Sequence, residues 1–204
     1  MIYTAESNPE NVKGAVLMAE LMTREEALCY LRENLTNKNL VNHSVAVEKI
    51  LIGLAQHFGE EQALWGLTGI LHDIDYGETA KDPARHSLLG AEMLEAKGLP
   101  AEVVYAVKVH NDVHGLPRIS RLDKALFAAD PLSGLIVAGA LIHPSKKLAP
   151  LDVTFMMKRF AEKSFAKGAN RETILHCSEL GLSLEEFIGI GLAAMQGASD
   201  ELGL

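Results

Sequence analysis

The chain has 204 residues, with 19 Lys plus Arg against 27 Asp plus Glu, giving a formal charge of -8. Hydrophobic residues make up 48% and charged residues 23%, enough apolar surface to build a core and to exclude general disorder. The acidic balance speaks against nucleic acid as a bulk electrostatic partner, because such binding needs Lys and Arg to displace counterions.

Taken in chain order, residues 1–22 carry no basic stretch followed by an apolar core, so they read as an extension rather than a signal peptide. Thr23-Arg24-Glu25-Glu26 is a capping box that opens a helix. A second helix is expected from about Asn42 to His57, with Val45, Val47, Ile50, Leu51, Leu54 and Phe58 near a 3.6-residue period and Gly59 as its stop. A third runs from Glu60 through Leu71 and is apolar on nearly all sides, which marks a central, buried element. Residues 74–85 combine Gly, Pro and charges and read as a loop. Helices resume at about 86–97, closed by Gly98, at about 101–110, and at about 120–142, stopped by Pro144. Ser183-Leu184-Glu185-Glu186 is a second capping box that opens a C-terminal helix. The expectation is an all-α bundle of roughly eight or nine helices, with residues 23–204 as one domain.

Two cysteines, Cys29 and Cys177, lie far apart without CxxC spacing, which suits a reducing cytoplasm and offers no thiolate metal site. The longest uncharged run, Pro131 to Ser145, is too short to span a bilayer. The expected setting is therefore cytoplasmic, with no membrane partner.

Eight histidines are the unusual feature of the composition. Leu71-His72-Asp73-Ile74-Asp75 places two strong metal ligands at the end of an apolar helix. A His-Asp doublet alone reads more readily as a surface pair or a helix cap; its company changes that reading. His43 lies 29 residues upstream, near the start of an amphipathic helix. His86 and His110 fall at element ends, and Asp130 sits inside an apolar helix, where a lone carboxylate is costly without a cation.

The order His43 in VNHSVAV, His72-Asp73 in GILHDID, His86 in ARHSLLGAEML, His110 in VKVHNDVHG and Asp130 in LDKALFAADPL resembles the HD-domain metal-dependent phosphohydrolases, specifically the HDIG subgroup. The resemblance covers about residues 38–140. It implies an all-α fold in which His43, His72, Asp73 and Asp130 surround one metal, while His86 and His110 hold a second with Asp73 bridging. One or two divalent transition ions (Fe, Mn, Co, Ni or Zn) suit four imidazoles and two carboxylates better than Mg or Ca. They would activate a hydroxide against a phosphomonoester or phosphodiester, nucleotide-like in character.

Two departures stand out. Asp75 replaces the HDIG glycine, so a tight turn that depends on glycine is not available there. His110-Asn111 stands where the cyclic-dinucleotide HD-GYP branch pairs two histidines, and no GYP follows. In ligand order the pattern looks nearer to the symmetrical diadenosine-tetraphosphate hydrolases. Mixed-valent di-iron oxygenases of the superfamily share the order as well, and a non-catalytic nucleotide-binding module is a third reading.

Around these ligands, Asp75 is a candidate to take a proton from the attacking water or to orient a ligand histidine. Lys124, Arg85 and His114 are candidates for contact with a small phosphorylated substrate; solvated charge is the plainer reading of Lys124 and Arg85, and a rim or structural role that of His114. His57 and His143 read as helix-end groups, His176 as a mid-helix residue beside Cys177, and Trp65 and Met156-Met157 as core. Lys146, Lys147, Lys158, Arg159, Lys163 and Lys167 form the one basic concentration and read as a solvated face.

Overall fold

The computed structural model describes residues 21–204, and those residues contain helices and no strand. Eight helices have nine residues or more: α1 (Arg24–Asn34), α2 (Lys38–Phe58), α3 (Gln62–Leu71), α5 (Leu88–Ala96), α6 (Ala101–Val109), α7 (Arg121–Ile142), α8 (Val153–Ala161) and α10 (Leu184–Gln196). Three short helices complete the set: α4 (Tyr76–Thr79), α9 (Arg171–Leu175) and α11 (Ser199–Leu202). Most of the expected extension, residues 1–20, lies outside the described residues.

Local signals set most boundaries. Thr23 and Ser183 form the expected capping boxes, each satisfying backbone N–H groups that the first turn leaves free. Ser120 forms a third with Asp123 and starts α7. Gly59 ends α2 in the left-handed region at φ 71°, where glycine carries no steric cost. Helix α2 begins four residues earlier than its apolar period suggested, because the Asn37 side chain caps it through the N–H of Asn39. The expected loop at 74–85 contains the single turn α4, and the helix expected from residue 86 begins at Leu88.

Two apolar clusters build the interior. One joins α2 and α7 with the C-terminal helices, around Ile50, Leu54, Leu132, Ile136, Phe187 and Met195. The other joins α1, α3, α5 and α6 around Leu31, Ile70, Leu71, Leu94 and Val103. Trp65 and Met156 are buried in the first, as expected of core residues. Helix α7 is long and apolar enough to cross a membrane, but 61% of that stretch is buried within the protein, which is how a core helix satisfies the same criteria.

Close helix contact positions the centre. A Cβ at Gly69 would lie 2.7 Å from the Cα of Glu48, so α3 rests directly on the backbone of α2. That approach brings the ring of His72, one residue past α3, to 5.1 Å from the ring of His43 on α2. A side chain at residue 69 would drive the two helices, and with them the two imidazoles, apart.

Candidate metal centre

Five elements deliver the six residues. His43 comes from the second turn of α2, His72 and Asp73 from the end of α3, and His86 from the turn before α5. His110 comes from the end of α6 and Asp130 from the middle of α7. Elements of both apolar clusters contribute, so the centre draws on both halves of the interior.

The carboxylate of Asp73 divides the cluster in two. Its Oδ2 lies 3.5 Å from Nε2 of His72 and 3.7 Å from Nε2 of His43. Its Oδ1 lies 3.4 Å from Nε2 of His86 and 3.5 Å from Nε2 of His110. Asp130 Oδ1 joins the first group, 3.0 Å from His43 Nε2 and 3.9 Å from His72 Nε2. Donors bound about 2.1 Å from one ion are separated by roughly 3.0–3.5 Å, and most of these spacings fall in or near that window.

The far side of every imidazole is tied down. Nδ1 of His72 donates to the Gly69 carbonyl at 2.8 Å, and Nδ1 of His110 to the Val107 carbonyl at 2.6 Å. Nδ1 of His43 lies 3.0 Å from Oγ of Ser133, whose own proton goes to the Asp130 carbonyl at 2.8 Å. Nδ1 of His86 lies 3.1 Å from Oδ1 of Asp75. With the proton fixed on Nδ1, each ring presents the Nε2 lone pair to the centre. Nε2 of His72 and of His110 is buried without a hydrogen-bond partner among the described residues. A buried orphan nitrogen costs free energy unless a cation or proton meets it. These residues therefore fit a divalent ion, and the His/Asp groups can hold one.

Charge follows the same layout. Burial favours neutral imidazole at His43, but the adjacent Asp130 and Asp73 reverse this and raise its pKa to about 9. At His72 burial prevails over both carboxylates and lowers the pKa. At His110 burial also opposes the charge, yet contact with Asp73 raises the pKa. Burial would raise Asp73, but His72, His110 and His43 hold it far below the usual carboxylate range. Asp130 is depressed likewise, with His43 outweighing its burial.

Both carboxylate oxygens of Asp75 have partners within the protein. Its Oδ1 meets His86 and its Oδ2 accepts the backbone N–H of Ser87 at 2.8 Å. Gly90 leaves room for this carboxylate, since a Cβ there would come within 3.3 Å of it. The backbone at Asp75 has φ -92° and ψ -6°, right-handed values that aspartate adopts without strain, so the turn after the doublet does not require glycine. The strain lies instead at Ser87, a non-glycine residue at φ 71°, between His86 and α5. Its N–H is held by Asp75 and its hydroxyl by the Lys108 carbonyl at 3.0 Å.

The other candidates are placed differently. Arg85 is 52% exposed and pairs with Glu78 at 2.8 Å. His114 Nε2 bonds to the His86 carbonyl at 2.8 Å, which ties the 3-10 turn Asp112–His114 to the loop bearing His86. Asn111 reinforces that tie through the carbonyls of Pro83 and His86. Lys124 is half-buried on α7, with no carboxylate within ion-pair distance among the described residues. Ser133, Ser87 and Asn111 were not singled out in sequence. For Ser133 a signal exists: three residues after Asp130 on a helix, it shares the aspartate's face.

Residues 40–135 match the family model of the HD domain. Across those residues the chain carries an HD domain. Its curated relatives include Ribonuclease Y 1 of Pediococcus pentosaceus, 27% identical over 139 residues, and Ribonuclease Y of Latilactobacillus sakei, 31% identical over 139 residues. Each match covers 66% of this chain and 26% of the relative. Ribonuclease Y of Desulfotalea psychrophila is 31% identical over 97 residues, 48% of this chain and 18% of its own length. The chain thus spans about a quarter, or less, of the relatives it matches. No solved structure matches it with significance. All six residues of the HD ligand order lie inside the matched range, and the superfamily is one of metal-dependent phosphohydrolases.

Proposed function

We propose that this HD-domain chain is a phosphohydrolase that cleaves a phosphomonoester or phosphodiester of a nucleotide or related small molecule. The carrying observation is the divided Asp73 carboxylate with two imidazole Nε2 atoms converging on each oxygen. In this reading His43, His72, Asp73 and Asp130 hold one divalent transition ion, and His86, His110 and Asp73 hold a second. When bound, such ions supply Lewis acidity at phosphorus and the activation of water. The printed name of the relatives, ribonuclease, supports a phosphodiester among the linkages to be tested.

The chain's own residues divide the remaining work. Asp75, with both oxygens engaged, positions His86 rather than accepting a proton from water. Ser133 does the same for His43. Lys124, half-buried one and two-thirds turns before Asp130, is the candidate to meet a substrate phosphate. Arg85 and His114 are committed to Glu78 and the His86 carbonyl, so they shape the loop at the rim. The substrate is small, and neither nucleic acid nor a membrane is assigned as a partner.

The test is phosphate or nitrophenol release from p-nitrophenyl phosphate and bis(p-nitrophenyl) phosphate, with Mn, Fe, Co, Ni or Zn supplied to the chelated protein. Metal-dependent turnover is expected in the wild type. Asp73→Ala should lose at least about 1,000-fold, because several kcal/mol of charge stabilisation leave with the ions. Full activity in Asp73→Ala, or turnover indifferent to chelator, contradicts the reading.

A further inference from the structure

Of the four imidazoles, three are carried by a helix or by the residue that ends one, and the fourth is not. His43 lies within α2. His72 and His110 each follow the last residue of a helix, with Nδ1 bonded to a carbonyl three residues back in the same segment. His86 stands in the turn before α5, and Asp75, the partner of its Nδ1, is eleven residues away in sequence. Helix geometry alone therefore does not fix where its Nε2 points. The His43–His72 pair is set by the contact of α3 with α2 at Gly69; the His86–His110 pair, with ring centroids 5.0 Å apart, needs another device.

The peptide that joins His86 to Ser87 is pinned at both ends. Its N–H donates to Asp75 Oδ2 at 2.8 Å. Its carbonyl accepts the Asn111 amide at 3.1 Å and lies 2.8 Å from Nε2 of His114. Ser87 is fully buried at φ 71°, a left-handed value that a non-glycine residue keeps only where its surroundings impose it. The Asn111 amide also donates to the Pro83 carbonyl at 2.8 Å, and Oγ of Ser87 donates to the Lys108 carbonyl at 3.0 Å. These bonds join the turn at 83–87 to residues 108–114, and His110 lies in the middle of that second segment. Asn111 suits the task by its chemistry. Its Oδ1 accepts the N–H of Val113 at 3.2 Å and caps the 3-10 turn, which any side-chain oxygen there could do. The two bonds to carbonyls need its NH2 group, a combination that an amide supplies and a carboxylate lacks.

We infer that Asn111 and His114 are positioning residues for the second ion: they clip the His86 turn to the end of α6 and so hold His86 and His110 at the spacing that ion needs. The inference rests on the two-ion reading proposed above and assigns occupancy of the second site to residues outside the ligand set. Without the clip, the residues around the first ion keep their packing and the chain becomes a one-ion protein.

Calorimetric titration of the chelated full chain with Mn(II) tests it, with electron paramagnetic resonance of the titrated samples. The wild type should take two ions and show the exchange-coupled spectrum of a neighbouring pair. Asn111→Asp keeps the size of the side chain and the cap on Val113, but sets an acceptor against two carbonyls. It should bind the first ion at wild-type affinity, weaken the second by about tenfold to a hundredfold, and show the spectrum of an isolated ion. His114→Ala should weaken the second ion alone, and His114→Gln, whose amide can donate to the same carbonyl, should restore it. Two ions at wild-type affinity in Asn111→Asp overturn the inference and leave the two-ion reading standing. Equal weakening of both ions, with His114→Gln no better than His114→Ala, assigns these residues to general stability and also overturns the inference. A wild type that takes one ion or none overturns the two-ion reading and the inference together.

Discussion

Glu48 and His43 lie five residues apart on α2, and each carries an ionisable group into the helix-packed interior, yet the two regions resolve that problem in opposite ways. The Glu48 carboxylate receives both arms of the Arg24 guanidinium, one at 2.8 Å, and the Lys49 ammonium at 3.2 Å. Arg24 and Lys49 also reach Glu201, which ties α1 and α2 to α11. All the charge in that network is answered by protein. Around His43, two imidazole Nε2 atoms remain without partners and both Asp73 oxygens face rings rather than permanent cations. A buried charge satisfied from within is a structural joint; a set of donors converging on one another with orphaned atoms is a receptor for a cation.

Removing Glu48 should have the largest effect on the fold itself. Glu48→Ala is expected to cost about 2–3 kcal/mol in denaturant unfolding, less than a fully buried pair because Arg24 still reaches solvent. Its metal affinity should stay at the wild-type value. An equal loss of metal binding would erase the distinction between the two regions.

A smaller effect comes from protons at the centre. The folded pKa of His43, about 9, lies above its ordinary value of 6.5. Its contribution to the stability of the metal-free protein is therefore complete below pH 6.5 and is lost as pH rises through 9. An ion must displace the same proton, so metal affinity should rise by about tenfold per pH unit across that window and level off above it. Metal-free and metal-loaded stabilities should thus diverge with increasing pH. Metal affinity independent of pH from 6.5 to 9 would contradict the His43–Asp130 pairing.

The two regions also differ in how far they can be read from sequence. Capping boxes at Thr23 and Ser183 and the glycine stop at Gly59 are local signals, and the helices they delimit were legible for that reason. The ligand order was legible because each residue type is rare in its apolar setting. What was not legible joins distant segments. Ser133 meets His43 across 90 residues, Glu48 meets Arg24 across 24 and Glu201 meets Arg24 across 177, and no periodicity announces such pairs. Asp75 is the instructive case. From sequence it read as the loss of a glycine and as a candidate to take a proton from water or to orient a ligand histidine; that its carboxylate meets His86 and the N–H of Ser87 shows only in the fold.

The central claim is that the histidine and aspartate cluster is built for divalent ions. Its most direct test is the metal content of the chain after dialysis, by elemental analysis, paired with thermal unfolding in chelator and in excess ion. The wild type should retain up to two ions per chain and gain about 2.7 kcal/mol per bound ion at a hundredfold excess over Kd, whereas Asp73→Ala should hold neither ion and show no gain. A wild type that binds no divalent transition ion, or an Asp73→Ala variant stabilised equally by one, would contradict it.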